Sequence, residues 1–123
     1  MGKVLQVRVS AMTYDPEDVY RQWPGASKLA WGEKALADLK SVGVRELSFV
    51  LRDKWKFSAD WPQDLKTSLA TGVAVLQDLD QDLEDALADR QADAADRITY
   101  ALEDALDELE DIVSRYAGPL PAV

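Results

Sequence analysis

The sequence of 123 residues contains no cysteine and no histidine, and each absence removes a group of functions. Without cysteine there is no disulfide framework, no thiolate zinc site and no cysteine nucleophile. Without histidine there is no imidazole metal ligand, no triad with a histidine base and no side chain that ordinarily titrates near neutral pH. Because the sequence also shows no nucleophile–base pair, metal cluster or phosphate-binding loop, we assign no catalytic, cofactor-binding or metal-ligating residue, and we expect no cofactor.

Long apolar runs are missing as well. No segment approaches the roughly 18 consecutive apolar residues that a transmembrane helix needs, and the first residues lack the apolar core of a signal peptide. The net charge of −9 opposes direct binding of nucleic acid or of an anionic membrane by the surface as a whole. We expect a cytoplasmic protein that binds neither nucleic acid nor membrane directly.

The charge is distributed unevenly along the chain. Residues 1–66 carry a net charge of +2, whereas residues 67–123 carry a net charge of −11. Ten aspartates and four glutamates lie between Asp78 and Asp111, although glutamate favours helix interiors more than aspartate does. The acidic side chains are interpreted as the solvated back of an amphipathic helix. An alternative is that short carboxylates on a helix face imitate nucleic-acid phosphates and compete for a basic protein.

The segment 62–116 has the apolar periodicity of a helix almost throughout. Its apolar residues recur at three- and four-residue steps: Leu65, Leu69, Val73, Leu76, Leu79, Leu83 and Leu87, then Ile98, Ala101, Leu102, Ala105, Leu109, Ile112 and Tyr116. One continuous helix of this segment would be ~82 Å long, against a radius of gyration of about 14 Å for a compact domain of this size. Two arrangements remain open. Either the segment forms a hairpin with a hinge at 89–93, with Asp93 capping the second helix, or one helix projects and pairs with another chain.

Two segments of the N-terminal half alternate with the period of a β-strand. Residues 3–13 place Leu5, Val7, Val9 and Ala11 on one face, and residues 44–52 place Leu47, Phe49 and Leu51 on one face. Residues 53–57 predict a weaker third strand, with Trp55 and Phe57 on its inner side. These segments predict a sheet of two or three strands.

Helical signals separate the two main strands. Asp15 and Pro16 have the residue types of a helix cap and a first helical position, and Pro24 with Gly25 interrupts that helix. The helix resumes over 26–41, with Leu29, Ala30, Leu36 and Leu39 on its apolar face. Gly43 is predicted to end it in a left-handed conformation.

These elements together predict an α+β fold. A strand–helix–strand N-terminal half would supply a small sheet, and the C-terminal helical hairpin would cover it, because so few strands cannot shield their own faces. We expect residues 1–117 to form a single domain and residues 118–123 to form a flexible tail.

Two rows of carboxylates deserve a test as metal ligands, because carboxylate oxygens on facing helices can hold Mg²⁺. The rows are Asp78, Asp82 and Asp85, then Asp104, Asp107 and Asp111. By helical spacing both rows lie away from the leucines, and only Asp80 and Glu108 lie near the edge of the apolar face. The rows therefore indicate solvent exposure, and a magnesium-dependent hydrolase is kept as an alternative only.

A cluster of basic and aromatic residues lies at 52–57, with Trp61 nearby. Aromatic rings beside cations suit single-stranded nucleic acid. The same alternation is also typical of a strand with one wet and one dry face, and the net acidity of the chain favours that second interpretation.

The predicted function is that of a non-catalytic protein-interaction or assembly protein acting through its acidic amphipathic helical region. The apolar face of the second helix is wider than a single contact needs, which indicates either burial on two sides or exposure to a partner. We therefore predict a homodimer, possible binding of another protein, and four partner-binding residues: Leu102, Leu106, Leu109 and Val113. The alternatives are an acidic nucleic-acid-mimicking inhibitor of a basic protein and a magnesium-dependent carboxylate-site hydrolase.

Overall fold

The computed structural model describes residues 10–13, 15–32, 42–116, 118 and 120. These ranges form five α-helices and contain no strand. The helices are α1 Pro16–Gln22, α2 Pro24–Trp31, α3 Val44–Phe57, α4 Gln63–Ala88 and α5 Ala92–Arg115. The predicted α+β fold with a sheet is therefore wrong, and the described part of the chain is a helical bundle.

The C-terminal hairpin is the part of the prediction that the structure confirms. Helix α4 has 26 residues and α5 has 24, and the two pack along each other more extensively than any other pair of helices. Residues 89–91 connect them, within the predicted hinge. The alternative of one continuous helix is therefore wrong. Helix α5 begins at Ala92 after Gln91, so Asp93 lies in its first turn and does not cap it.

The turn between α4 and α5 places a non-glycine residue in the left-handed region. Arg90 has a φ of 57°. Its N–H donates to the carbonyl of Leu87 over 3.1 Å, and the N–H of Gln91 donates to the carbonyl of Ala86 over 2.8 Å. This is the hydrogen-bond pattern of a Schellman motif, in which glycine usually occupies the left-handed position. Helix α4 thus ends without a glycine at this position, so no glycine in the sequence marked where the helix ends.

The second predicted strand, 44–52, and the weaker third strand are both wrong, because α3 covers them. Leu47 and Leu51 are 0% and 1% exposed, whereas Phe49 between them is 60% exposed. Leu47 and Leu51 are four residues apart and lie on one face of a helix, so the same residues that alternate as a strand also satisfy a helical period. The segment forms a helix and not a strand because the helix buries both leucines against α4 and α2.

The N-terminal helices follow their local signals. The carboxylate of Asp15 accepts a hydrogen bond from the N–H of Glu17 over 3.0 Å, and Pro16 takes the first helical position. The predicted interruption is confirmed as a corner, since α1 ends at Gln22 and Pro24 begins α2. Gly32, with a φ of 66°, ends α2.

Gly43 does not have the predicted left-handed conformation. Its φ of −169° is extended, and it precedes α3 as the N-cap. The predicted helical residues Leu36 and Leu39 and the predicted strand residues 3–9 lie outside the described ranges, whereas residues 10–13 form neither helix nor strand. The single domain and the flexible tail at 118–123 stay predictions.

Side chains from all five helices meet in one core, and α2 packs against both α3 and α5 while α3 packs on α4. The largest fully buried apolar side chains are Leu29, Leu47, Leu51, Leu65, Leu69, Leu76, Leu83, Leu102, Leu106, Leu109 and Val19. Each buried leucine stabilises the fold by roughly 1.5–3 kcal/mol. None of the described helices is long and apolar enough to cross a membrane.

Candidate interaction surface on the helical hairpin

The four predicted partner-binding residues lie in the core. Leu102, Leu106, Leu109 and Val113 are 1%, 0%, 1% and 3% exposed. The apolar face of α5 is wide because α5 packs against α4 and also against α2. The apolar face of α5 is therefore wide because it is buried on two sides within one chain, and its width does not require a partner. The homodimer stays a prediction, but these side chains cannot form its interface unless the hairpin opens.

The surface of the hairpin that faces away from the core is acidic. We define the outer acidic face as eight exposed residues: Asp78, Asp82, Asp85 and Asp89 on α4 and its end, with Asp93, Asp104, Glu108 and Asp111 on α5. At 100° per residue, the α4 row lies opposite the buried leucines. The two carboxylate rows that were predicted to face solvent, Asp78, Asp82 and Asp85 with Asp104, Asp107 and Asp111, are all exposed.

The outer acidic face has almost no counter-ions within the described part of the chain. Asp111 is the one member that forms an ion pair there, with Arg115 at 3.1 Å. That pair joins exposed groups on one turn of helix and is worth little. The side-chain amide of Gln81 donates to the carboxylate of Asp85 over 3.1 Å without changing its charge. The face consequently keeps nearly all of its negative charge.

Three other acidic residues of the hairpin hold the remaining helices in place. The indole N–H of Trp23 donates to Asp107 over 2.8 Å, and the side-chain amide of Gln22 donates to the same oxygen over 3.2 Å. Asp80 accepts hydrogen bonds from Arg45 and Arg52 of α3 at 3.3 and 3.2 Å. These contacts fasten α1 and α3 to the hairpin.

The third of these residues, Glu110, caps a helix that has no cap of its own. Helix α2 begins with Pro24, and no side chain of its own N-terminal turn satisfies its first N–H groups. The Glu110 carboxylate accepts from Gly25 N–H over 3.1 Å and from Ala26 N–H over 2.8 Å. A carboxylate at a helix N-terminus also interacts favourably with the helix dipole. From the sequence, α2 could be recognised as a helix that begins with proline and has no Ser, Thr, Asp or Asn before it to cap its N-terminus. The sequence did not show that Glu110 provides the cap.

Tyr100 is a large, partly apolar side chain on the acidic side of α5. It is 64% exposed, and Asp96, Glu103 and Asp104 are its neighbours three or four residues away on the helix surface. Aromatic residues of this kind are frequent anchors of protein interfaces, because they bury apolar area while the hydroxyl keeps a polar contact. Sequence reasoning missed Tyr100, since one aromatic among carboxylates has no periodic signal.

The two carboxylate rows that were considered as metal ligands do not assemble into a site. No group of three or more acidic residues within the described ranges is arranged to hold a metal ion. Asp107, from the second row, is turned toward Trp23, and Asp111 toward Arg115. The hydrolase alternative thus has no candidate centre in this part of the chain.

The aromatic residues of the basic-aromatic cluster do not all lie on one surface, because some are turned toward the core and others toward solvent. The indole N–H of Trp55 donates to the carbonyl of Lys66 over 2.8 Å, and Trp61 is 6% exposed. Phe57 is 70% exposed, with the ammonium of Lys56 5.4 Å from its ring centre. The rings do not form one row on which bases could stack.

No family model, no curated protein and no solved structure matches the chain.

Proposed function

We propose that this protein is a non-catalytic binding module that presents the outer acidic face of α4 and α5 to a basic surface of another protein. The observation that carries the proposal is the face itself: eight exposed carboxylates, of which one has a described counter-ion, beside the exposed ring of Tyr100. We propose the cytoplasm as its compartment.

Two physical effects support this function. Carboxylates of one sign on one face produce a negative potential that attracts a basic partner and raises the association rate at low salt. Charge alone gives little net affinity across a wet surface, so an anchor that loses its contact with water is needed as well. Tyr100 is the described side chain on this surface that can act as that anchor.

The rest of the hairpin supports this role because it is held rigidly. The carboxylates of Asp80, Asp107 and Glu110 are engaged with α1, α2 and α3, so they fix the hairpin against the bundle. The outer acidic face therefore needs little ordering on binding, which lowers the entropic cost of association.

The test uses a fluorescent peptide rich in arginine and leucine, whose binding is followed by anisotropy across a series of salt concentrations. We expect Asp78→Asn/Asp82→Asn to weaken binding several-fold and to flatten the salt dependence. The matched control is Asp53→Asn/Asp60→Asn, which changes the net charge equally at exposed positions away from the hairpin's acidic face. If both variants weaken binding to the same extent, the peptide follows the net charge of the molecule, and the proposal fails.

A second arm examines the anchor. Tyr100→Ala should lower affinity several-fold while leaving the salt dependence unchanged, because the ring contributes apolar contact and no charge. Phe57→Ala removes a similarly exposed ring from the basic end of α3 and should have no effect.

A competition experiment tests the nucleic-acid-mimicking alternative. If the protein competes with double-stranded DNA for a basic DNA-binding protein, the outer acidic face imitates nucleic acid.

A further inference from the structure

A cavity of about 730 Å³ opens beside the turn of the hairpin. Its walls come from α1, the start of α3, the end of α4 and the first half of α5. The cavity floor consists of apolar side chains: Val19, Trp23, Leu83, Leu87, Ala95 and Leu102. Its volume lies within the range of about 300–1,000 Å³ that is typical of small-molecule sites. The proposed function makes no use of this space.

The rim of the cavity is mainly acidic. It carries Asp15, Asp18, Glu46, Asp96 and Glu103, and two arginines, Arg21 and Arg45. Both guanidinium groups are already paired with carboxylates, Arg21 with Asp15 and Asp18 of the rim itself. Arg21 lies 2.7 Å from Asp18 and 3.0 Å from Glu17 along α1, and Arg45 pairs with Asp80 and Glu84 of α4.

The remaining rim carboxylates give the cavity its sign. Glu46, Asp96 and Glu103 form no ion pair with the residues that the structure describes. Asp96 and Glu103 are seven residues apart, two turns along the same side of α5. Carboxylates at the edge of a low-dielectric wall concentrate a negative potential there.

Glu103 is the rim carboxylate most affected by its surroundings. Partial burial against the cavity wall raises its pKa, and the like charges of Asp107 and Asp104 raise it further. A positive group placed beside Glu103 would relieve both effects. The cavity thus combines an apolar body site with an edge that favours a cation.

We propose that this cavity binds an organic cation with an apolar body, such as an arylalkylamine, with its ammonium group between Glu103 and Asp96 and its hydrocarbon part on the floor formed by Leu83, Leu87 and Leu102. A bare metal ion does not fit this description, because the described side chains of the floor carry no oxygen atom. An organic anion would meet the acidic rim unfavourably.

Three probes of nearly equal size test whether the cavity prefers a cation to a neutral or an anionic ligand: phenylbutylamine, phenylbutanol and phenylbutyrate. Binding is followed by shifts of the methyl NMR signals of Ala95 and Leu102 and of the indole N–H signal of Trp23. We expect the amine to bind at least tenfold more tightly than the alcohol, and the acid to bind more weakly than the alcohol. Binding of the acid as tightly as the amine would overturn the proposal. No binding by any probe at millimolar concentration, as expected if other parts of the chain fill the cavity, would overturn it too.

Variants of the full chain locate the site. Glu103→Gln should reduce the amine's affinity toward that of the alcohol and leave the alcohol unchanged, whereas Glu108→Gln, elsewhere on α5, should change neither. Ala92→Phe enlarges an exposed rim residue and should weaken the amine and the alcohol together. Unchanged amine binding in both Glu103→Gln and Ala92→Phe would place the ligand elsewhere and end the proposal.

Discussion

At the scale of single residues, the acidic side chains of the hairpin have two different roles that composition does not separate. Asp107 and Glu110 accept hydrogen bonds from the corner between α1 and α2, while Asp104 and Asp111, only a few positions away, face solvent. A shift of one helical position moves a carboxylate from the outer acidic face to the flank that meets α1 and α2. The roles are therefore decided by position around the helix.

Asp107→Ala should destabilise the fold by about 1–2 kcal/mol, because it leaves the indole N–H of Trp23 without an acceptor in a side chain that is 3% exposed. Urea denaturation measures this directly. The matched control is Asp104→Ala on the outer acidic face, which should stay within about 0.5 kcal/mol of the unmodified chain. Equal losses in both variants would mean that the Trp23–Asp107 hydrogen bond contributes nothing specific.

Glu103→Gln should raise the melting temperature slightly at neutral pH. The pKa of Glu103 is raised in the fold, first by burial and then by Asp107 and Asp104, so its ionised form opposes folding. This opposition exists above the raised pKa, decreases as the pH falls through it, and disappears below the ordinary glutamate pKa. The advantage of the variant should therefore vanish in acid. A melting temperature that does not change between the variant and the unmodified chain at neutral pH would contradict the assignment.

At the scale of elements, α3 shows how far burial can override an apparent period. Leu47→Ala should cost about 2–5 kcal/mol, as expected for a buried leucine, whereas Phe49→Ala should cost less than about 0.5 kcal/mol because its ring is exposed. If 44–52 were a strand, the two residues would share one buried face and both substitutions would be severe. Chemical denaturation of the two variants decides between the two structures.

The hairpin and α3 together show what could be predicted from the sequence. Seven apolar residues at successive helical steps from Leu65 to Leu87, six leucines and Val73, exclude any other element over that length, so α4 was identifiable. The segment 44–52 is short enough to satisfy both periods, and only contacts with α2 and α4 decide between them. The cross-helix contacts of Asp107 and Glu110 and the cavity depend on residues about 85 positions apart, which no local pattern reveals.

Arg90→Gly should stabilise the chain by about 1 kcal/mol, because a side chain in the left-handed region is strained by roughly that amount and glycine is not. Gln91→Gly is the control at the next position, where the backbone has a negative φ of −90°. It should lower stability, since there glycine adds only entropy to the unfolded chain. Melting curves of the two variants should move in opposite directions, and a common direction would show that the Arg90 conformation is not a source of strain.

At the scale of the whole molecule, the five helices separate charge from apolar surface. The outer acidic face lies on α4 and α5, whereas α3 carries Arg45, Arg52, Lys54 and Lys56 on the other side of α4. The leucines that could have joined two chains instead join α5 to both α4 and α2. The leucines therefore stabilise the single chain, and the carboxylates of the outer acidic face stay exposed to solvent.

This separation leads to a prediction about Leu106, which is 0% exposed. Leu106→Asp should unfold the chain, because an uncompensated charge in the core of a small domain is strongly unfavourable. Circular dichroism should then show a large loss of helix at every protein concentration. A dimer interface at Leu106 predicts a different result, a folded monomer produced from a larger species.

Light scattering on the same samples distinguishes the two outcomes. A mass near 13.7 kDa for the unmodified chain would contradict the homodimer prediction, and it would agree with the burial of the apolar face of α5 within one chain. Asp82→Asn, on the outer acidic face, is the matched control and should leave both the mass and the helix content unchanged. A Leu106→Asp protein that keeps its helices while the unmodified chain has twice the mass would return Leu106 to an interface between chains, and the hairpin would then have to open on association.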